Sequence, residues 1–590
     1  MKNYLVGAVF GAAAVLFTGA LGGYLWLSSE GEIGAREEVV YATAASVQSH
    51  ADVKKHTEIF ERKTEEVVPG MHLAIGYGLA NVIVINAPDG LILVDAMESI
   101  RAAEGLLPWV NGLREKTGKD ITDIIFTHNH ADHVFGAGVF LRGQDTTPRI
   151  WAHEATEARV HEIINVLAPV TFRRAMRMFG VYLPDEDFEN NGIGPRLLND
   201  DQDGLHFLSP TDTVQDRAEV QMAGETVILQ HAPGETDDQL AIYLPNRKTL
   251  LPADNYYQAF PNLYTVRGTP YRDPRKWAAS IDRMREFRAE LMVPQHSLPV
   301  VGAEEIETRL RDYRDAIQFI YDETIRMINK DLTPDEIAER IALPQHLANA
   351  PHLQEMYGRV EFAARAVFAG TLGWFSGDPV DLRPVTGRKE AELMAELAGG
   401  QDTLASRAEA SLAAQPAWTL MLATHLQRLD HPDAQVLRAK ALRNLAEGAT
   451  ASSVRNYYLT SAAEAEGFEL PPAGFGPTSD EVVNAIPIRN FLEILTVNLK
   501  SQQMLDRELS YGFDFTDAPP LSIRIRRGIA LLEDGLAPDR IGALKTSTDV
   551  FRGIAIKRLE PSKLLIGGEI TVEGSILKLQ EFLDYFSPPI

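Results

Sequence analysis

The stretch IIFTHNHADHVFG, residues 124–136, places three histidines and one aspartate within residues 128–133. The whole chain has 15 histidines, so this cluster is dense. β-branched and aromatic residues precede it, which predicts a strand that ends where the cluster begins. Neutral imidazoles and a carboxylate on one short loop are suitable ligands for a pair of divalent cations. The motif H-x-H-x-D-H therefore predicts a binuclear metal site with the ligands His128, His130, Asp132 and His133.

Two coordination spheres need more ligands than one loop provides, and later strand ends supply the candidates. Three residues each follow an apolar run that predicts a strand: Glu235 after TVILQHAPG, Asp254 at the end of TLLPAD, and His296 at the end of LMVPQH. Loops at strand ends gather functional side chains on a rigid scaffold. Their alternative roles are a turn carboxylate, a helix cap and an edge histidine, in that order. The upstream cluster favours metal binding for all three, and His231 is assigned a structural or supporting role.

Length and composition limit the class of protein. A chain of 590 residues exceeds one ordinary domain, so at least two folded units are expected. The formal charge of −25 argues against nucleic acid as a partner, because phosphates require a basic surface. The sequence has no cysteine, which excludes disulfides, thiolate metal sites and cysteine nucleophiles. Any metal must therefore be held by histidine and carboxylate.

Hydrophobic periodicity divides the chain into successive parts. Strand-like runs and helices alternate over residues 69–302, with a hairpin predicted from NVIVINAPDG into LILVDA and a helix over residues 99–118. Helical spacing dominates residues 303–465, where TPDEIAERI begins with a capping box. The linker EGFELPPAGFGPTSDE is rich in proline and glycine, and a mixed α+β unit with a polar TSTD turn follows over residues 478–590.

Residues 1–30 contain an uncharged run, residues 4–27, that is long enough to cross a bilayer as a helix. Its apolar part continues past the small residues at which a signal peptide would be cleaved, so a membrane anchor is preferred to a cleaved signal peptide. In both interpretations the remaining chain is exported to the periplasm or another extracytoplasmic space. Residues 31–68 are polar and charged, and we expect a linker there.

The order of the metal-type residues resembles the metallo-β-lactamase superfamily. Asp95 precedes THNHADH, and a Pro-Gly-Glu-Thr element, a strand-end aspartate and a final histidine follow in the order of that superfamily. The resemblance covers residues 69–302 and implies an α/β fold, the αβ/βα sandwich. It is specific for the fold and much less specific for the reaction.

Further segments are similar to the zinc-dependent alkyl sulfatases of that superfamily. They are NNGIGP (residues 190–195), PNLYTVRGTPYRDPRKWAASIDRM (261–284), AVFAGTLGWFSGDPVDLRP (366–384) and RNYYLTSA (455–462). The resemblance implies that residues 303–465 form an all-α dimerisation domain and residues 478–590 a small α+β sterol-carrier-like domain. It also implies a homodimer, with the apolar residues 357–377 as a candidate interface and a hydrophobic core as the alternative role of that segment.

Carried over by position, the resemblance implies two zinc ions per subunit. Zinc follows from the family and from the ligand types, which manganese or iron also accept. The first ion is assigned His128, His130 and Glu235, the second is assigned Asp132, His133 and His296, and the bridge between them is assigned to Asp254.

Asn262 and Arg267 match the sulfate-binding pair of the family. A planar guanidinium suits two sulfate oxygens at once, and an amide adds a neutral donor. The chain departs from the family at two points. Alkyl sulfatases usually have glutamate where Asp254 stands, and Glu235 is followed by Thr-Asp-Asp in place of the usual continuation.

The resemblance implies hydrolysis of an amphiphilic alkyl sulfate ester to alcohol and inorganic sulfate, by water that two zinc ions activate. The apolar residues Phe179, Tyr182 and Leu183 are candidates for binding the alkyl chain. The point of attack, on sulfur or on the ester carbon, stays open, as do the length of the alkyl chain and the choice between a primary and a secondary ester.

One alternative function is that of another dizinc hydrolase of this fold, acting on a lactone, phosphodiester or β-lactam. The other is a membrane-anchored lipid carrier with a vestigial hydrolase domain.

Overall fold

The computed structural model describes residues 26–27, 39–43, 45, 47–162, 166–199, 204–471, 474–475, 483–484, 486–555 and 559–587. The uncharged N-terminal run lies outside them except for its last two residues. These form a short strand, β1 (Trp26–Leu27), which pairs in parallel with Gly474–Phe475. The predicted N-terminal helix therefore does not include those two residues. Among the described residues, no helix has the length and apolar character that crossing a membrane requires.

The first large sheet has seven strands. They are β2 (Lys63–Val68), β3 (Met71–Ile75), β4 (Val82–Asn86), β5 (Leu91–Val94), β6 (Ile121–Ile125), β7 (Arg149–His153) and β8 (Asp212–Val214). Sequential strands are neighbours, antiparallel from β2 to β5 and parallel from β5 to β8. The predicted hairpin is confirmed, since Asn86 pairs with Leu91 across the Pro-Asp-Gly turn.

The second large sheet has six strands, again in chain order. They are β9 (Arg217–Met222), β10 (Glu225–His231), β11 (Leu240–Leu244), β12 (Thr249–Leu251), β13 (Leu291–Met292) and β14 (Val300–Val301). The strand predicted over LMVPQH is short, because Val293 still donates to Leu250 but Pro294 has no N–H to continue the ladder. A strand also follows His296, where the sequence predicted none.

Helices accompany the two sheets in this part of the chain. They are α1 (Ala51–Thr57), α2 (Ile100–Thr117), α3 (Ala131–Val134), α4 (Ala137–Phe140), α5 (Thr156–His161), α6 (Ala168–Phe179) and α7 (Pro274–Arg285). Helix α2 is the helix predicted over residues 99–118, and the Ser99 side chain caps its N-terminus while Gly118 ends it with φ 67°.

The two sheets pack face to face around one apolar layer. Leu73 and Ile85 of the first sheet meet Val227 and Ile242 of the second within this layer. On the far sides, α2 packs on the first sheet and α7 packs on the second. The predicted αβ/βα sandwich is therefore confirmed.

The next part of the chain is helical, as predicted. Its helices are α8 (Ala303–Ile328), α9 (Pro334–Arg340), α10 (Gln345–Ala348), α11 (Val360–Leu372), α12 (Gly387–Ala398), α13 (Gln401–Ser411), α14 (Pro416–Arg428), α15 (Ala434–Gly448) and α16 (Ser452–Ala465). The predicted capping box is present between Thr333 and Glu336. Helices α8 and α11 share a core with α7, whereas α12 to α15 form a separate apolar cluster.

The apolar segment over residues 357–377 divides between its two predicted roles. Val367 and Phe368 of α11 are buried in the core shared with α7. Leu372 and Trp374, just beyond, are 57% and 76% exposed. The first half of the segment is therefore core, and the second half is available for an interface.

The C-terminal domain contains a five-stranded sheet and its own apolar core. After β15 (Gly474–Phe475), its elements are α17 (Ile488–Val497), β16 (Glu508–Phe515), β17 (Leu521–Arg526), β18 (Ile529–Asp534), β19 (Ala543–Thr546), α18 (Thr548–Ala555), α19 (Pro561–Gly567), β20 (Thr571–Glu573) and α20 (Ile576–Leu583). The predicted TSTD turn is instead the start of α18, because Asp517 from the preceding hairpin accepts the backbone N–H of Thr548 at 2.8 Å. The likeness of this domain to sterol carriers stays a prediction, as do the other predicted domain boundaries. The linker predicted over residues 31–68 is wrong for residues 51–57 and 63–68, which form α1 and the sheet strand β2.

Candidate metal centre

The motif HNHADH follows β6 at the edge where the parallel strands end. Asp95, just after the neighbouring strand β5, accepts hydrogen bonds from the backbone N–H of Thr127 at 2.8 Å and from its hydroxyl at 3.0 Å. Asp95 has a left-handed backbone, φ 60°, which few non-glycine residues adopt. The short helix α3 then turns the chain after His130. As a result the ring of His133 returns to 4.1 Å from that of His128, measured between centroids.

Six of the seven predicted ligands lie in two adjacent groups, which we call the metal centre. Within each group the candidate ligand atoms are within 4.8 Å of one another. The first group is His128, His130 and Asp254, and the second group is Asp132, His133 and His296.

Asp254 faces both groups. Its Oδ2 lies 3.5 Å from Nε2 of His128, and its Oδ1 lies 3.3 Å from Nε2 of His296 and 3.5 Å from Nε2 of His133. Asp254 stands in a 3-10 turn, Ala253–Asn255, directly after β12, where Ala253 has φ 53°. The tight turn brings the short aspartate to both groups, which suits the predicted bridge although the family usually has glutamate there.

Two histidines of the HNHADH loop have one ring nitrogen held by the protein. Nδ1 of His133 lies 2.8 Å from Oδ2 of Asp95, and Nδ1 of His128 lies 3.0 Å from the hydroxyl of Thr127. An acceptor at Nδ1 fixes the tautomer and orients the ring, so that Nε2 presents its lone pair. Asp95 and Thr127 thus support the ligands without belonging to either group.

His296 is held by the backbone instead. Its Nδ1 lies 3.0 Å from the carbonyl oxygens of both Leu79 and Ile193. Among the described residues, no hydrogen-bond partner reaches the buried Nε2 atoms of His296, His128 and His133. Buried polar atoms without partners are rare, and three of them converging beside carboxylates fit divalent metal ions.

The charges in the centre also suit cations. Burial lowers the pKa of His128 to about 3, so this imidazole is neutral and free to ligate. Burial raises the pKa of Asp254, but the neighbouring histidines outweigh this effect and hold the pKa well below its ordinary value. Burial lowers the pKa of His133, but Asp132, Asp254 and Asp95 raise it well above its ordinary value. The carboxylates around His133 therefore favour positive charge at this position, which a bound cation would supply.

Glu235 lies outside both groups and forms a buried ion pair. Its Oε1 accepts from Nη1 of Arg272 at 2.6 Å, and both side chains are 3% exposed. The same Nη1 donates to the carbonyl oxygen of Asn262 at 2.5 Å. Oε2 of Glu235 has no hydrogen-bond partner within the described part of the chain. One carboxylate oxygen is thus left for a metal, and the ligand role of Glu235 stays a prediction.

The glycine of the Pro-Gly element is required by close packing. A Cβ at Gly234 would collide with the side-chain oxygen of Asn255, whose Nδ2 donates to the carbonyl of Ala232 at 2.7 Å. Asn255 is the neighbour of Asp254, so this contact joins the turn that carries Asp254 to the loop that carries Glu235.

Arg267, one of the two predicted sulfate-binding residues, lies beside the metal centre. Nη2 of Arg267 is 3.3 Å from Nε2 of His130. Asn262 is buried, its backbone N–H donates to the hydroxyl of Tyr257 at 2.7 Å, and its side-chain Nδ2 meets no acceptor among the residues described. A guanidinium next to a candidate cation ligand is suited to an oxyanion, and a buried amide N–H without an acceptor is a further donor of the kind an oxyanion needs.

Comparison with known proteins places this geometry in a family. Residues 75–296 match the model of the metallo-beta-lactamase superfamily, and residues 333–467 match that of alkyl sulfatase dimerisation. A linear primary-alkylsulfatase of Pseudomonas sp. is 35% identical over 526 residues, 85% of this chain and 98% of that relative. The chain belongs to the alkyl sulfatases of the metallo-β-lactamase superfamily. The predicted family and the predicted class of enzyme, a sulfuric ester hydrolase, are thereby confirmed.

Two further relatives agree with this placement. An (R)-specific secondary-alkylsulfatase of Pseudomonas sp. is 27% identical over 560 residues, 89% of this chain and 81% of that relative. The solved structure of the stereoselective inverting sec-alkylsulfatase Pisa1 from Pseudomonas sp. has a TM-score of 0.83 at 22% identity, covering 98% of this chain and 97% of that one. This chain therefore shares its fold with that solved structure along almost its whole length.

The structure also places the residues predicted to bind the alkyl chain, and His231. Phe179, Tyr182 and Leu183 are at most 9% exposed and pack in apolar cores, and their role in binding an alkyl chain stays a prediction. They face inward because α6 packs against α16 of the dimerisation domain. His231 stacks on His153 and contacts the carbonyl of Asp237 at 2.8 Å, outside the metal centre of the sulfatase.

Sequence reasoning missed Arg272 and Glu98. Glu98 is fully buried and accepts the backbone N–H groups of Leu198 at 2.8 Å and Leu79 at 3.2 Å. Burial raises its pKa to about 7, and the charge of Asp132 adds to this rise. Nothing in the local sequence marks either residue, because only the tertiary structure buries Glu98 and pairs Arg272 with Glu235.

Replacing Arg272 by methionine should lower the free energy of unfolding of the metal-free sulfatase by about 3–5 kcal/mol, because it leaves the buried carboxylate of Glu235 unpaired. The double variant Arg272→Met/Glu235→Gln should recover most of that loss, since it removes both charges. Arg275→Met serves as the control, because Arg275 is 63% exposed and its contacts are with Asp273 and the ring of Tyr321. Urea unfolding measures all three, and equal losses in the single and double variants would contradict the pairing.

Replacing Glu98 by glutamine should change how the stability of the metal-free sulfatase depends on pH. The folded pKa of about 7 lies above the ordinary 4.5, so the folded wild type binds the extra proton and loses stability as pH rises through this interval. The variant lacks that group. The free energy of unfolding of the variant, minus that of the wild type, should therefore rise by about 3 kcal/mol between pH 4.5 and pH 7. Urea unfolding at several pH values tests this, and a pH-independent difference would count against it.

Proposed function

We propose that this sulfatase hydrolyses alkyl sulfate monoesters to an alcohol and inorganic sulfate, with two zinc ions at the metal centre. One observation carries the proposal: Arg267 stands beside His130 of the first metal group, in a centre where the Nε2 atoms of His128, His133 and His296 meet no hydrogen-bond partner among the described residues. An anionic sulfate head and a cationic centre then occupy neighbouring positions. The relatives named as primary and secondary alkylsulfatases support the alkyl sulfate as substrate class.

In this proposal the two metal ions, when bound, lower the pKa of a water molecule and neutralise negative charge on the substrate. The chain itself orients and binds. Asp95 and Thr127 fix the imidazoles of His133 and His128, so that no reorientation is needed as the reaction proceeds. Arg267 and Asn262 donate to sulfate oxygens and stabilise charge that develops there.

Zinc is favoured by the ligand set of histidine and carboxylate. Elemental analysis of purified protein should find two zinc ions per chain, with manganese or iron as the alternative result.

The reaction is tested by sulfate release from a medium-chain primary alkyl sulfate, with and without a chelator, beside a secondary ester, a lactone and a phosphodiester. We expect turnover of the sulfate esters alone, lost on chelation and restored by zinc. Faster turnover of the lactone or phosphodiester would favour another dizinc hydrolase, and no turnover at all would favour a lipid carrier.

We further propose a homodimer formed through the exposed apolar residues at the C-terminal end of α11 and just beyond it. Leu372, Trp374, Val380 and Leu382 are 57–76% exposed within the segment that matches the dimerisation family. Trp374→Glu combined with Leu382→Glu should convert the dimer to a monomer, as measured by light scattering. Ile566→Glu is the control, because Ile566 is 83% exposed but lies in the C-terminal domain. A variant that stays dimeric would place the interface elsewhere.

For location, we propose an extracytoplasmic enzyme, supported by the uncharged run over residues 4–27. Cell fractionation should recover the activity outside the cytoplasm. The N-terminus of the mature protein, read by mass spectrometry, then distinguishes an anchor from a cleaved signal peptide.

A further inference from the structure

Two sequence motifs, NNGIGP and RNYYLTSA, meet in the interior of the sulfatase. Nδ2 of Asn456 donates to the carbonyl oxygen of Asn190 at 3.2 Å and to Oδ1 of Asn191 at 3.1 Å. One turn earlier in α16, the hydroxyl of Ser452 donates to Oδ1 of Asn190 at 2.6 Å. All four side chains are 1% exposed. This buried contact joins the dimerisation domain to residues 190–194 of the catalytic domain, which we call the asparagine loop.

The asparagine loop also holds the last predicted metal ligand. The carbonyl oxygen of Ile193 lies 3.0 Å from Nδ1 of His296, on which the carbonyl of Leu79 also converges at 3.0 Å. A Cβ at Gly194 would collide with that Leu79 carbonyl, so the loop and Leu79 pack backbone against backbone. Two acceptors at Nδ1 require the proton there, which leaves the lone pair of Nε2 for a metal ion.

Within the loop, hydrogen bonds connect its two ends. Gly192 donates its N–H to Oδ1 of Asn190 at 2.7 Å, and Asn191 donates to the carbonyl of Gly194 at 2.8 Å. Gly192 has φ 80°, and a Cβ there would lie 2.5 Å from the carbonyl oxygen of Met356. Because the loop is closed on itself and seated on the helical domain, a shift at Asn190 is carried to Ile193.

We propose that Ser452 and Asn456 are positioning residues for His296. Through the asparagine loop, α16 of the dimerisation domain fixes the tautomer and direction of a metal ligand in the other domain. The inference rests on the proposed metal function. It gives the dimerisation domain a part in building the second metal group, Asp132, His133 and His296, in addition to dimerisation.

Ser453 offers a matched control for Ser452. It is the next residue in α16, is also buried at 6% exposure, and donates one hydrogen bond, at 3.1 Å, to the carbonyl of Tyr357. Neither atom of that bond belongs to the asparagine loop, although the side chain of Tyr357 packs beside Gly192. Ser452→Ala and Ser453→Ala therefore each remove one buried hydroxyl and one hydrogen bond from the same turn of helix.

The experiment titrates zinc into the full-length, metal-free protein against a chelator of known affinity and records the Tm of each metal-free variant. Ser452→Ala should raise the dissociation constant of one of the two zinc ions about tenfold and leave the other unchanged. Asn456→Ala, a second way to break the same contact, should show the same selective loss. Ser453→Ala should leave both ions unchanged, while its Tm falls about as far as that of Ser452→Ala.

A double-variant cycle identifies the ion. In a His296→Ala background, adding Ser452→Ala should change the affinity of the remaining zinc by less than about twofold. A larger change there, or equal effects of Ser452→Ala and Ser453→Ala on zinc, would overturn the inference and leave the proposed function standing. A wild-type protein that binds no zinc or other divalent metal would instead overturn the proposed function.

Discussion

Asp254→Ala should leave the protein unable to hold either metal ion tightly and should lower kcat/KM for an alkyl sulfate by about 10³-fold or more. Asp254 is the residue with one carboxylate oxygen toward each group, 3.5 Å from His128 and 3.3 Å from His296. Removing it takes away the negative charge that would hold the two cations together. Elemental analysis and steady-state kinetics on the same preparation measure both effects.

A buried carboxylate elsewhere in the same domain provides the control. Asp238 is fully buried and accepts from the hydroxyl of Thr156 at 2.8 Å, outside both metal groups. Asp238→Asn should therefore keep both the metal content and the turnover of the wild type. Full metal content in Asp254→Ala would show that the bridge has been assigned to the wrong residue.

Arg267→Ala should lower kcat/KM for an alkyl sulfate by about 10²- to 10³-fold while the metal content stays at the wild-type value. The guanidinium adjoins His130 but belongs to neither ligand group, so its loss removes a sulfate donor and spares the metal ligands. Arg267→Lys should recover only part of the rate, because an ammonium cannot bind two sulfate oxygens in the planar fork.

Arg275→Ala is the matched control for Arg267→Ala. Arg275 lies eight residues further along the chain, is 63% exposed and pairs with Asp273. Its loss should leave both kinetics and metal content unchanged. If Arg267→Ala lost its metal ions, the residue would be supporting His130, and the assignment to sulfate would fail.

Local sequence patterns were sufficient to predict many of the helices, strands and turns of this protein. The hairpin of β4 and β5, the capped helix α2 and the capping box at Thr333 follow from turn residues and periodicity, which act within a few residues. Four candidate ligands of the metal centre were predicted from equally local patterns, because a strand end and one helical turn suffice to gather the HNHADH loop. Prediction was weaker where a partner comes from elsewhere, as at α18, whose start is capped by Asp517.

The sequence by itself determined the family, the strand ends that carry ligand-type residues and the division into sheet-rich, helical and mixed parts. Only the tertiary structure decided which polar groups pair in the interior. Glu235 meets Arg272 across 37 positions, and Ser452 meets Asn190 across 262. The reason is physical: periodicity and caps are set by neighbours along the chain, whereas a buried charge or amide must take its partner from whatever element the packing brings beside it.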